Sequence, residues 1–260
     1  MPDYLSGMPL LVSDAIVLHA FDYLESSRIL RLATREGGVR SALAKGARRS
    51  QRRFGTALDL FAQGSAQLST KAGRDLDTLT GFDVVGSRAG LAEDLGRFAG
   101  ASVIAELVLH FSTEHADPAL FDAIAGALDA IATAASDRAL DATLGGAWRV
   151  IAALGFTPAL VACAECHAPL DDEATAMFSH ASGGVLCARC ARLASGGRRM
   201  PPEARMALRA WTEGGDAEPL AAAPARAHQR LLREFLLHHV VDGRPLHAFE
   251  LWEQGDWSGA

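Results

Sequence analysis

Apolar residues recur with two different periods along this chain. Through the first eighty-five residues they alternate with polar ones in short runs, and from Leu91 onward they return every third or fourth position. The alternating runs at 15–20, 29–34, 39–44, 58–68 and 76–85 predict five strands. Arg35-Glu36-Gly37-Gly38 supplies the glycines of a tight hairpin turn between the second and third. Five short strands in so little chain suit an OB-type Greek-key barrel, although a five-stranded SH3-like barrel would carry the same pattern.

The longer period predicts helices. Leu91, Leu95, Phe98, Ala101, Ala105 and Val108 form one apolar face, and Asp117-Pro118 opens a second helix with Leu120, Phe121, Ile124, Leu128 and Ile131. A third covers 141–154 and stops at Gly155, and two more cover 203–211 and 225–241. The fold class is therefore α+β: an N-terminal five-stranded barrel (1–85) followed by a helical domain in two parts (86–160 and 195–260), interrupted at 161–194.

That interruption holds every cysteine of the chain: Cys163-x2-Cys166 and, twenty residues later, Cys187-x2-Cys190. Two C-x2-C pairs, the second reached through a Gly183-Gly184 hairpin turn, are the spacing of a zinc ribbon. Two disulfides, or four unrelated thiols, are the competing readings of such pairs. Four thiolates saturate a tetrahedral zinc, whereas a catalytic zinc keeps a position for water, so the ion expected here is a single structural Zn2+. The His-x-Glu and Pro-Cys-x-x-Cys elements of zinc deaminases are missing from the sequence. His167, directly after Cys166, reads as a loop residue rather than a ligand.

The formal charge of −6 argues against a polyanionic partner only if it is evenly spread. It is not: residues 1–80 carry a net +3 and the remainder a net −9. Arg40, Lys45, Arg48, Arg49, Arg52 and Arg53 follow one another with no acidic residue among them, in and after the third predicted strand. On a barrel, such a segment can neutralise phosphates without reading bases, while a solvated loop is the plainer alternative. Phe21, Tyr23 and Phe54 are candidates for stacking on bases and equally for core or rim positions, and Arg198-Arg199 form a second, smaller basic point. No run of residues is long and apolar enough for a membrane span, and residues 1–10 lack signal-peptide character, which leads to the expectation of a cytoplasmic protein.

The local text then resembles the RecO family of bacterial recombination mediators. Ile16-Val17-Leu18, the stretch from Tyr23 to Leu30, Thr34-Arg35-Glu36-Gly37-Gly38, Ala44-Lys45-Gly46-Ala47-Arg48-Arg49 and Phe54-Gly55 are similar to its N-terminal pattern. Leu154-Gly155-Phe156-x-Pro158 leading to the first cysteine pair, the Gly183–Cys187 step, and Gly243-Arg244-Pro245-Leu246 extend the likeness over nearly the whole chain. Two positions depart from it: His167-Ala168 stands where the family has a glycine, and His247-Ala248 where it has a serine.

The resemblance implies an OB-fold, a helical domain with a four-cysteine zinc finger, no enzymatic activity, and a nucleoid-associated role in recombinational repair. It also implies binding to single- and double-stranded DNA, strand annealing, and association with RecR. The family engages the acidic C-terminal tail of the single-stranded-DNA-binding protein and helps load RecA. An acidic tail needs a groove with a basic rim and an apolar floor, for which Trp148-Arg149, Arg226, Arg230 and Arg233 are candidates. Two other readings remain: a zinc-ribbon RNA-binding or transcription factor on the same barrel, and a zinc-dependent hydrolase, which the saturated ligand set disfavours.

Overall fold

The structure, a computed structural model, describes residues 9–47, 54, 58–70, 73, 75–111, 114–239 and 245–255. Strands β1 (Leu10–Tyr23), β2 (Ser27–Thr34), β3 (Gly38–Ala44), β4 (Gln63–Ser69) and β5 (Asp77–Gly86) close into a barrel in the order β1-β2-β3-β5-β4. β1 pairs antiparallel with both β2 and β4, and β3 runs parallel to β5, which is OB-fold connectivity.

β1 extends well beyond the predicted 15–20 because its two halves serve different partners: Leu10–Ile16 pair with β4 and Ala15–Tyr23 with β2. A bulge between Val17 and His19 changes the phase of the strand. Hence Val17 and Leu18 are both buried, Val17 inside the barrel and Leu18 outside it against the helical domain. The predicted strand 58–68 starts later than expected, since Phe61 takes a left-handed backbone (φ 66°) that ends any ladder there.

Two apolar cores result. Leu30, Leu32, Ala42, Leu68, Leu79 and Phe82 fill the barrel, while Ile16, Leu18, Ala33, Val39 and Phe61 on its outer side join the helical core. That core is built by α1 (Leu95–Phe111), α2 (Pro118–Thr133) and α3 (Ala139–Ala153). The Asp117 carboxylate caps α2 by accepting from the Leu120 N–H at 3.0 Å, and Pro118 fills the first turn. Gly100 lets α1 approach α3 closely: a Cβ there would stand 2.0 Å from Thr143 Oγ1.

Arg88, at the exit of β5, fastens the two cores together. Its guanidinium donates to the Phe61 carbonyl (2.8 Å), Gln63 Oε1 (2.7 Å) and Asp129 on α2 (2.7 Å). Arg35 adds a second tie, pairing with Asp122 and lying 4.7 Å over the Phe121 ring.

After α3 the chain forms a small sheet in the order β7-β6-β8, from β6 (Ala176–Ser179), β7 (Gly184–Leu186) and β8 (Arg198–Met200), with the one-turn helix α4 (Ala188–Ala191) between the last two. Helices α5 (Pro202–Thr212), α6 (Ala222–His239) and α7 (His247–Gln254) complete the fold. The sequence reading missed α7, whose eight residues carry only two buried apolar side chains, Phe249 and Trp252. Its free N–H groups are held from outside: the Glu106 carboxylate on α1 accepts from Ala248 (3.1 Å) and Phe249 (3.0 Å). Among the described residues no helix is long and apolar enough to cross a membrane.

Candidate metal centre and nucleic-acid interface

Each cysteine pair sits on a tight knuckle. In the first, Cys163 N–H donates to the Ala168 carbonyl (2.8 Å), and the His167 N–H turns back to the Cys163 carbonyl (2.9 Å). His167 needs a left-handed backbone for this, φ 59°, and that explains why glycine suits the position. In the second, Cys187 caps α4, its sulfur accepting from the Cys190 N–H at 3.5 Å. The Gly183 turn (φ 68°) between β6 and β7 brings the two knuckles face to face.

All four Sγ atoms lie within 4.8 Å of one another. Cys166 and Cys187 are 3.8 Å apart, far longer than a disulfide, and all four thiols are free. A tetrahedron with zinc–sulfur bonds of about 2.3 Å has edges of about 3.8 Å, so the cluster fits such an ion. The local field favours thiolate at Cys163 and Cys187. Burial pushes the Cys163 thiol up, but the N–H groups of Cys166, Cys187 and Glu165 outweigh it and bring it down to about 6. The Cys190 N–H lowers Cys187 as well, whereas the hydrogen bond with Cys166 pushes Cys190 up to about 12. Four crowded sulfurs cannot all ionise without a cation among them. His167 is not part of the cluster.

The barrel presents an exposed face of its own on β1–β3. The register aligns Phe21 with Ile29 and Leu43, and His19 with Arg31 and Ser41, across β1, β2 and β3. On β1, Phe21 is 45% exposed and Tyr23 42%, and the His19 ring packs 5.8 Å from Phe21. Lys45 is exposed just past the end of β3, in a turn that Gly46 makes with φ 72°. Arg48, Arg49, Arg52 and Arg53 lie outside the described residues.

The other basic candidates are placed differently. Arg40 falls opposite Leu32 on the inward-facing parity of β3, with Ala42 and Ala44, and at the barrel's rim it pairs at 2.8 Å with the buried Asp77. Its charge is thus met locally. Phe54 is only 2% exposed and belongs to the barrel core, so it offers no stacking surface. Arg31 and His19 complete the open face but were not singled out in the sequence. The alternation of Ile29-Leu30-Arg31-Leu32-Ala33 was the available signal, since Leu30 and Leu32 point inward.

A second concave surface of about 840 Å3 lies between α5, α6 and the loop joining them. Met200, Met206, Ala207, Leu220 and Leu231 line it, with His228 buried at its side against Trp211. Arg198, Arg199 and Glu203 stand at the start of α5, Arg230 lies on α6, and Asp216 and Glu218 line the loop after α5. Eleven helical residues separate the β8 end from the loop end, roughly 16 Å. Of the candidate rim residues only Arg230 belongs to this groove. Trp148 is fully buried, Arg149 donates to the Gly214 and Gly215 carbonyls, Arg226 to Gln229 and the Gly255 carbonyl, and Arg233 pairs with Glu253.

Two family models cover this architecture. Residues 8–88 match the N-terminal model of recombination protein O and residues 92–247 its C-terminal model. The chain is 42% identical over 244 residues to the DNA repair protein RecO of Anaeromyxobacter dehalogenans strain 2CP-C, covering 90% of this chain and 92% of that one. It is 34% identical over 241 residues to the protein of the same name from Rubrobacter xylanophilus, covering 92% and 94%.

Proposed function

The chain belongs to the RecO family, recombination mediators of DNA repair, and on that premise we propose that it binds single- and double-stranded DNA through the open face of its barrel and anneals complementary strands. The observation that carries this reading is the row of exposed His19, Phe21 and Tyr23 beside Arg31 and Lys45. Bases stack on such rings whatever their identity, each contact contributing about 1–3 kcal/mol. The arginines that follow Lys45 in sequence would extend the cationic track, each phosphate neutralised releasing counterions. Two strands held on one such surface repel each other less, which is all that annealing requires of a non-enzymatic protein.

The four-cysteine cluster is proposed to hold one structural zinc through Cys163, Cys166, Cys187 and Cys190. Zinc there would cross-link the two knuckles and leave no coordination position for a reacting water. The α5–α6 groove is proposed to receive the acidic tail of the single-stranded-DNA-binding protein, its apolar end among Met200, Met206 and Leu231. Charge sets the orientation: acidic residues of the tail favour the end with Arg199 and Arg230 over the end with Asp216 and Glu218. RecR association and help in loading RecA are part of the same proposal, supported by family membership.

Strand annealing, measured with and without the single-stranded-DNA-binding protein, tests this reading alongside direct titrations with labelled single-stranded DNA, duplex DNA and RNA. Phe21→Ala with Tyr23→Ala should weaken single-strand affinity by at least tenfold, and Arg31→Glu should lower the steepness of its salt dependence. Unchanged affinity in both variants, or a strong preference for RNA, would sink it.

A further inference from the structure

We propose that the four-cysteine module is the positioning wall of the α5–α6 groove, so that metal loading sets the groove's affinity for an acidic partner segment. The inference rests on the groove reading above. Its basis is that one strand belongs to both structures. β8 is the third strand of the module's sheet, with Ala176 opposite Met200, Met177 opposite Arg199 and Phe178 opposite Arg198. The same three residues, Arg198, Arg199 and Met200, line the groove.

The metal ligands hold that strand from two sides. Cys187 directly follows β7, which pairs with β6, and β6 in turn carries β8. Past Cys190 the chain returns to β8 through Gly197, where a Cβ would stand 3.0 Å from Met177 Cγ, Met177 Sδ and the Phe178 carbonyl. The strand is therefore pressed onto β6 as it enters the groove.

A carboxylate then joins module and wall. Glu234 on α6 is gripped by both the Nε and Nη2 of Arg198, and its Oε2 lies 2.9 Å from Nε2 of His180, in the turn between β6 and β7. The His180 ring packs on Phe178, and Phe178, fully buried, packs on Phe235 of α6. When the knuckles are not cross-linked, β8 loses a rigid ladder partner and Arg198 loses the carboxylate that His180 helps to hold. The basic end of the groove then separates from its apolar floor. Glu234 and His180 lie outside both the four-cysteine cluster and the groove lining, so they are positioning residues.

The test titrates a fluorescently labelled peptide of the acidic tail against metal-loaded and chelator-stripped chain, each as wild type and as Glu234→Gln. Metal content and hydrogen exchange at 198–206 are read in parallel. Stripping should weaken the peptide by about tenfold, and Glu234→Gln should weaken it by a similar factor while its metal content stays full. The two losses should fall well short of multiplying, which a generally destabilised fold would not produce. Stripping should also speed exchange of the Arg199 and Met200 amides. Unchanged β8 exchange on stripping, or losses that multiply fully, overturns the proposal. Met206→Glu separates the two readings: if it leaves peptide binding intact, the groove is not the tail's site, and β8 exchange alone then decides whether the module positions that wall.

Discussion

The barrel and the four-cysteine module are both small β units, yet they hold their shape by different physics. The barrel closes five strands of seven to fourteen residues around fully buried Leu30, Leu32 and Leu68, so no edge is left and apolar burial suffices. The module has strands of four, three and three residues, too short to enclose a core of their own. From these strands Ala176, Phe178, Val185 and Met200 reach inward, and they do so by joining the helical core. Burial stabilises one unit, whereas the other gathers four cysteine sulfurs into a cluster suited to a metal ion. Where a surface must be precise but little chain is available, a metal can substitute for a core.

The largest effect expected from this contrast comes from removing a ligand. Cys163→Ser should abolish stable metal binding, at a cost on the order of several kcal/mol within the module, because coordination supplies its folding free energy. Metal content and thermal unfolding check it. A stoichiometrically loaded, equally stable serine variant would break the comparison.

A smaller effect separates the regions by acid. Burial pushes His228 down to about 4, and the unfolded chain takes up its proton near the usual value for histidine. Unfolded chain thus binds more protons than folded chain as pH falls from about 6.5 toward 4, so this stability is present above that window and lost within it. Between pH 7.5 and 5 the loss should be about 2 kcal/mol in urea unfolding, and His228→Leu should remove that dependence. The barrel's buried acid, Asp77, is instead paired with Arg40. A pH dependence retained in His228→Leu would place the sensitive group elsewhere.

The smallest effect sharpens the account of the first knuckle. His167→Gly should stabilise the metal-loaded module by up to about 1 kcal/mol, because the left-handed backbone there strains any residue with a Cβ. Chelator competition measures it, and weaker metal retention in the glycine variant would count against the strain.

Legibility in the sequence followed how local the determining interactions are. The β2–β3 hairpin and the metal ligands could be read directly, since alternation, turn glycines and C-x2-C spacing are short-range signals. The length of β1 could not, because its N-terminal half is fixed by pairing with β4, some fifty residues away. α7 escaped for a similar reason: Glu106, distant in sequence, satisfies its first turn. Arg40 looked like its basic neighbours until the register placed it beside Asp77, and of the two readings open for Phe54, stacking or core, the structure gives the core. The groove had no sequence signature, being assembled from β8, two helices and a loop.

The proposals divide the labour: the barrel face would bind DNA, and the metal module would shape a groove elsewhere. The most direct measurement titrates labelled single-stranded DNA against the same chain with and without its metal, at fixed salt. The account predicts DNA affinities that agree within about threefold while binding of the acidic-tail peptide falls, since the proposed phosphate and stacking contacts lie on β1–β3 and the segment that follows β3 in sequence. Loss of DNA binding on metal removal, with peptide binding intact, would contradict it.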